Sequence, residues 1–349
     1  MPTIHLANDE ANRALAGVPA KSVHLVITSP RYLDVIDYGA MATGNTLQRT
    51  GFYSRRREPL SDYVREHLET CGWLAEVCAD DAVVAIEIDD YRDTDGRCLI
   101  PLPDLWRDML TAHGFRYAEH IRLFRPIALG RRSGHFVKTG GRPGTFYPDN
   151  VCSTLIVAIK GDPQRRLRRL ATDGERIDLA WARRYLTTAW RIKPPGRRTL
   201  PGNHPVPFDP DLVRALVMLY SRVGDRVLDP FAGSGTVGRE ASALGRDALL
   251  IEREAAFAEY IRATLQIAPW RSIPRRVCLP SAQLALPLGH TAVAALRDAY
   301  ERKAMGEVTD RFRRIAALAS SEAGVDIPPE LAAVLMRAER AYWYARRAA

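Results

Sequence analysis

The chain of 349 residues is 46% hydrophobic and 26% charged, a balance that suits one large α/β domain with an added module and excludes a disordered tail or a miniature scaffold. No stretch approaches the roughly 18 consecutive apolar residues that cross a bilayer, and the opening MPTIHLANDEANRAL lacks the basic-then-apolar order of a secretory signal, so a cytoplasmic protein without a membrane partner is expected. The net charge of +9 is unevenly placed: residues 121–203 hold 18 Lys/Arg against five Asp/Glu, a net of +13, residues 271–349 hold 13 against eight, a net of +5, and the remainder is acidic.

In chain order, VHLVITSP (23–30) is a short apolar run closed by a turn signal, the pattern of a buried parallel strand. The following SDYVREHLETCGWLAEVCADD spaces Tyr63, Val64, Leu68, Cys71, Leu74, Ala75 and Cys78 along one helical face, with Ser61 as N-cap. AVVAIEIDD (82–90) is a second buried strand, ending on Asp89 and Asp90, and LPDLWRDMLTAHGF is a helix stopped by Gly114. Residues 126–148 lose all periodicity and fill with Gly, Arg and aromatics, which is loop chemistry. VCSTLIVAIKG (151–161) returns to strand, and the basic stretch after it is helical in part before the proline-rich KPPGRRTLPGNHPVP. A regular alternation follows: a helix capped by Asp209 with Pro210 at its first position, the strand RVLD, the helix GTVGREASALG, the strand DALLIE and the helix AAFAEYIRATLQ. Such alternation predicts a sheet of mainly parallel strands covered by helices. Beyond Pro269 an Ala- and Arg-rich segment carries helical periodicity, giving an α/β unit over 1–270 and a helical module over 271–349.

Five cysteines, Cys71, Cys78, Cys98, Cys152 and Cys278, are an odd number with no C-x-x-C pair, so reduced thiols are expected and neither a disulfide framework nor a zinc site. A basic insert on an acidic body fits a polyanion, nucleic acid first, although a solvated arginine-rich surface gives the same count.

The most specific string is LDPFAGSGTVG (228–238), a glycine-rich turn between a strand and a helix whose free N–H groups face a ligand. A phosphate-cradling loop requires a closing Gly-Lys-Ser/Thr, which is missing. Gly233, Gly235 and Gly238 formally match the dinucleotide pattern G-x-G-x-x-G, with Glu252 at the end of the next strand. Asp229 ahead of the glycines favours a ligand with a cationic amino-acid end over a pyrophosphate. S-adenosylmethionine has that end together with an adenosine whose ribose hydroxyls suit Glu252. The cofactor-binding set is therefore Asp229, Phe231, Ala232, Gly233, Ser234, Gly235, Thr236 and Glu252.

TSPRY (28–32) closes the first strand of the alternation. Together with the glycine loop it resembles the β class of amino-methylating DNA methyltransferases, whose hallmark is Ser/Asp/Asn-Pro-Pro-Tyr/Phe/Trp, over most of residues 1–266. The resemblance implies a Rossmann-like S-adenosylmethionine-dependent methyltransferase fold, an α/β architecture with a mostly parallel seven-stranded sheet. It implies a basic target-recognition region inserted at about 125–203, and Asp9 beside the adenine of the cofactor. The substrate it implies is double-stranded DNA, with a cognate restriction endonuclease and a homodimer as further partners.

In this reading the Ser29 side chain and the Pro30 carbonyl accept hydrogens of a base amine, while Tyr32 stacks on a flipped base. Ser at the first position resembles the cytosine-N4 enzymes; adenine N6 and a catalytically silent DNA-binding relative are the alternatives. Arg131, Arg132, His135, Lys138 and Arg142 are the expected DNA contacts. Arg31 departs from the family's second proline, placing a cation beside the amine or reaching toward a DNA phosphate.

Overall fold

The computed structural model describes residues 2–31, 60–92, 99–124, 152–164, 179–192 and 208–269. Among them, β1 (Ile4–Ala7), β2 (Val23–Thr28), β3 (Cys78–Ile88), β6 (Phe115–Phe124), β7 (Cys152–Lys160), β8 (Ala189–Arg191), β9 (Arg226–Asp229), β10 (Asp247–Ile251) and β11 (Ile267–Ala268) form one sheet in the order β11-β1-β10-β9-β2-β3-β7-β6-β8. A separate two-stranded ribbon pairs β4 (Tyr91–Arg92) with β5 (Leu99–Ile100). The helices are α1 (Ala11–Leu15), α2 (Leu60–Val77), α3 (Leu102–Ala112), α4 (Leu179–Tyr185), α5 (Pro210–Tyr220), α6 (Thr236–Ala243) and α7 (Ala255–Thr264).

Among the described residues this sheet has nine strands where seven were expected. The additional ones are β8 and β11, three and two residues long, which extend its two edges. Pairing is parallel except around β7, which runs against both β3 and β6. Both β7 and β8 fall within 125–203 and are hydrogen-bonded into this sheet, so these described parts of the inserted region belong to the core layer. Helix α2 begins at Leu60, so Ser61 lies inside it rather than capping it.

The strands alternate their side chains between two apolar layers, as the pleat requires. Val84 and Ile86 of β3 join α1, α2 and α3 on one face, while Val83 and Ala85 join α5, α6 and α7 on the other. The local signals explain the helix ends. The Asp209 carboxylate accepts from the Asp211 amide at 3.0 Å and Pro210 opens α5. Gly114, at φ 83°, ends α3 with its N–H on the Thr111 carbonyl.

Chain order and sheet order diverge at one place. From β9 the chain winds through α6 to β10; from β2 it winds through α2 to β3 on the other side. The adjacent pair β2 and β9 is therefore a topological switch point, where open α/β sheets leave a crevice outside the strands' carboxyl ends. Residues 28–31 and 229–235 both emerge there.

Candidate active site

At the switch point the Thr28 hydroxyl donates to Asp229 Oδ1 at 2.7 Å, and the Phe231 amide donates to the same oxygen at 3.1 Å. Asp229 is 1% exposed. Burial pushes its carboxyl up to about 7, against the lowering effect of the two donors, and nearby Glu252 pushes the same way. Ser29 is half-buried and Pro30 buried, directly after Thr28.

The glycine loop is held from the β10 side. Glu252, 8% exposed, accepts from the Gly233 amide through Oε2 at 2.7 Å and from the Glu254 amide through Oε1 at 2.8 Å. Burial again dominates and raises the Glu252 carboxyl to about 7. The Ala232 amide donates to the Ile251 carbonyl at 2.9 Å. Gly235 sits in the left-handed region at φ 74° as the N-cap of α6, and a Cβ there would lie 3.0 Å from Ile261 Cγ1. At Gly238 a Cβ would stand 2.7 Å from Leu250 Cδ1, so a larger residue there would make the buried Leu250 side chain shift. Ser234 and Thr236 are buried, their hydroxyls 3.0 Å apart.

Asp9 follows β1, whose Ala7 carbonyl accepts from the Glu252 amide at 3.0 Å. Asp9 itself accepts from the Glu10 amide at 2.9 Å and pairs with Arg13 at 3.3 Å, and the N-cap of α1 is Glu10. Its neighbour Asn8 makes the crossing contacts, donating to the Glu252 carbonyl at 2.8 Å and the Arg253 carbonyl at 3.0 Å. Asp89 and Asp90 follow β3 and are half-buried.

Arg31 turns toward α2. Its guanidinium pairs with Glu66 at 2.5 Å and lies 5.4 Å from the Tyr63 ring centroid. The cation is thus matched by a carboxylate. His67, one turn beyond Tyr63, is fully buried with both ring nitrogens lacking a hydrogen-bond partner among the described residues. Its ring packs on Tyr63, Trp106 and Phe231 at centroid distances of 4.3, 4.8 and 5.6 Å. Burial, aided by Arg31, holds its pKa well below the usual histidine value, so it is neutral.

Tyr32, Arg131, Arg132, His135, Lys138 and Arg142 lie outside the described residues, as do residues 271–349. The structure therefore brings together Ser29, Pro30, Asp229, Phe231, the glycine loop and Glu252. It adds Thr28, Asn8, Tyr63, Glu66 and His67, which sequence reasoning left without a role. The signal for the α2 residues was available: Tyr63, His67 and Leu74 recur at helical spacing on the apolar face, which gives a polar ring at 67 a buried address. Among the described residues Cys71 and Cys78 are buried free thiols and Cys152 is half-buried, no cluster of His, Cys, Asp or Glu is arranged to hold a metal ion, and no helix is long and apolar enough to cross a membrane.

The residues present suit S-adenosylmethionine. Two buried carboxyls with raised pKa values end adjacent strands, either side of a glycine turn at a helix N-terminus, and they match a cationic amino-acid end and ribose hydroxyls.

Comparison with known proteins agrees with this geometry. The family model described as DNA methylase, N6_N4_Mtase, matches residues 23–263. The Type II methyltransferase M.SmaI of Serratia marcescens is 22% identical over 264 residues, covering 71% of this chain and 86% of its own. M.Cfr9I of Citrobacter freundii, also named a Type II methyltransferase, is 25% identical over 259 residues, covering 67% and 78%. Among solved structures, a Thermus thermophilus protein titled a DNA modification methylase, complexed with S-adenosyl-L-methionine, superposes with a TM-score of 0.53 at 21% identity, covering 79% of this chain and 100% of that one. The PvuII DNA methyltransferase, titled cytosine-N4-specific, gives 0.53 at 16% identity, covering 82% and 94%. The chain has the fold of these enzymes, uses S-adenosylmethionine as its methyl donor, and belongs to the N6/N4 DNA methylase family.

Proposed function

We infer that the chain transfers a methyl group to the exocyclic N4 of cytosine in double-stranded DNA, as a Type II methyltransferase. The observation that carries this reading is the Thr28–Asp229 hydrogen bond, which joins the TSPRY segment to the DPFAGSG loop at the switch point. An exocyclic amine is a weak nucleophile because its lone pair is delocalised into the ring. The Ser29 hydroxyl and the Pro30 carbonyl accept the amine's hydrogens and draw the nitrogen toward tetrahedral geometry. Tyr32 stacks on the base, which is flipped out at a cost of a few kcal/mol. S-adenosylmethionine, when bound, supplies the methyl group on a sulfonium. Asp229 faces the cationic end of that donor, Glu252 accepts from its ribose hydroxyls, and Phe231, Ala232, Gly233, Ser234, Gly235 and Thr236 shape the turn around it, with Asp9 near the adenine.

Ser29 supports cytosine over adenine, since Ser at the first position of the tetrapeptide resembles the cytosine-N4 enzymes. The ion pair of Arg31 with Glu66 supports activity over a silent relative, because it removes an uncompensated cation from beside the amine. Residues 125–203 form the target-recognition region in this reading, with Arg131, Arg132, His135, Lys138 and Arg142 on the DNA. The exposed Arg122, Arg183, Arg184 and Arg191 on β6, α4 and β8 extend that basic surface. Residues 271–349 form a helical module, and the names of the two relatives support a restriction endonuclease as functional partner.

Labelled methyl transfer to duplex DNA, followed by hydrolysis to nucleosides, tests the reading. N4-methyldeoxycytidine is the expected product; N6-methyldeoxyadenosine moves the reading to adenine, and cofactor binding without transfer makes the chain a silent relative.

A further inference from the structure

A second proline after Pro30 would fix the backbone that aims the Pro30 carbonyl, and Arg31 has no ring to do so. Three contacts from α2 hold this residue instead. The Arg31 guanidinium pairs with Glu66 at 2.5 Å and stacks 5.4 Å from the Tyr63 ring centroid. The Tyr63 hydroxyl donates to the Arg31 carbonyl at 3.0 Å. Trp106 Nε1, on α3, donates into that same hydroxyl at 3.0 Å, so the phenol's single proton is committed to Arg31. Both ends of residue 31, its carbonyl and its guanidinium, are thereby tied to one helical turn.

That turn is itself anchored. Asn12 Nδ2 donates to the Glu66 carbonyl at 3.1 Å, and Thr70 Oγ1 bridges the same carbonyl at 3.1 Å and Asn12 Oδ1 at 2.7 Å. The buried His67 ring lies between Tyr63 and Phe231 of the glycine loop. The clamp on residue 31 therefore continues by direct packing to the cofactor loop.

We propose that Glu66 and Tyr63 are positioning residues which, through Arg31, do the work of the missing second proline and hold the Pro30 carbonyl toward the base amine. The proposal rests on residues 29–32 being the amine site. Its chemistry is geometric: a partly buried, charge-assisted pair plus a carbonyl hydrogen bond restrict the backbone where a ring otherwise would.

The test is a double-mutant cycle in the full chain with Glu66→Gln, Arg31→Met, their double, Arg31→Pro, and Arg31→Pro combined with Glu66→Gln. Two readouts are taken: hydrogen exchange of the peptide covering residues 23–31, and kcat with KM for S-adenosylmethionine. Glu66→Gln, Arg31→Met and their double should each speed exchange by about the same severalfold factor and lower kcat roughly tenfold with the cofactor KM unchanged. In the Arg31→Pro background Glu66→Gln should change neither quantity.

Equal effects of Glu66→Gln in the wild-type and Arg31→Pro backgrounds overturn the proposal, as does unchanged exchange in Glu66→Gln. Exchange reads the clamp without any turnover. Faster exchange in the variants, beside a wild type that transfers no methyl group, would leave the clamp standing and remove the reading of the amine site; normal wild-type transfer with unchanged exchange in the variants would do the reverse.

Discussion

The Thr28 hydroxyl donates a 2.7 Å hydrogen bond to the Asp229 carboxylate across 201 residues of sequence, fastening the end of β2 to the end of β9 in a buried setting. Through this one bond the proposed amine-site segment and the proposed cofactor loop share a position. Thr28→Val keeps the shape and removes the donor. It should destabilise the protein by about 1–2 kcal/mol, since a buried carboxyl loses one of its partners, and push the Asp229 carboxyl higher still. Denaturant midpoints check the first effect, and a weaker cofactor affinity by calorimetry checks the second.

The two raised carboxyls make both stability and cofactor binding pH-dependent. Asp229 and Glu252 have ordinary values of 3.8 and 4.5 and lie at about 7 in the fold. Between these limits the folded state holds more protons than the unfolded state, so their contribution to stability is complete below about pH 4 and is lost as pH rises through 7. Cofactor affinity should move the other way, because ionised carboxylates are the better acceptors and the better counter-charge. Affinity is expected to rise from about pH 6 to about pH 8, with proton release on binding visible as a buffer-dependent heat. In Glu252→Gln, affinity should fall by about 2 kcal/mol, roughly thirtyfold, and part of the pH dependence should vanish.

His67 gives the opposite sign. Its folded pKa lies well below the ordinary 6.5, so below pH 6.5 the unfolded chain takes up a proton that the folded chain does not. Stability from this group is full above 6.5 and is lost as pH falls, by at most about 1.4 kcal/mol per pH unit. His67→Phe keeps the ring packing on Tyr63, Trp106 and Phe231 without the two buried nitrogens. The stability gap between His67→Phe and wild type should therefore widen in the variant's favour from about pH 7 to about pH 5, as thermal melts would show. A gap independent of pH would mean that His67 takes up its proton in the folded protein as readily as in the unfolded chain.

How much of this was legible in the sequence depends on how local each signal is. The cap at Asp209 and Pro210, the stop at Gly114 and the turn over 229–235 are written within a few residues, and the structure follows them. β6 was not legible, because Arg116, Tyr117, Glu119 and Arg122 are exposed and its longest support is the pairing with β7 from Phe115 and Lys160 to Phe124 and Cys152. β1 was missed for a related reason: four residues, alternately buried, matter only once they lie beside β10. The orientation of Arg31 depends on Glu66, 35 residues away on another element, and no periodicity encodes a side chain's direction across that distance.

The central claim is that TSPRY and DPFAGSG form one amine-methylating site acting on cytosine. Expression in a host free of DNA methylation, followed by single-molecule sequencing that distinguishes modified bases, tests it most directly. The account predicts N4-methylcytosine in one short motif, abolished by Asp229→Ala and retained as the same base in Arg31→Pro. N6-methyladenine in place of methylcytosine, or a change of modified base in Arg31→Pro, would contradict it.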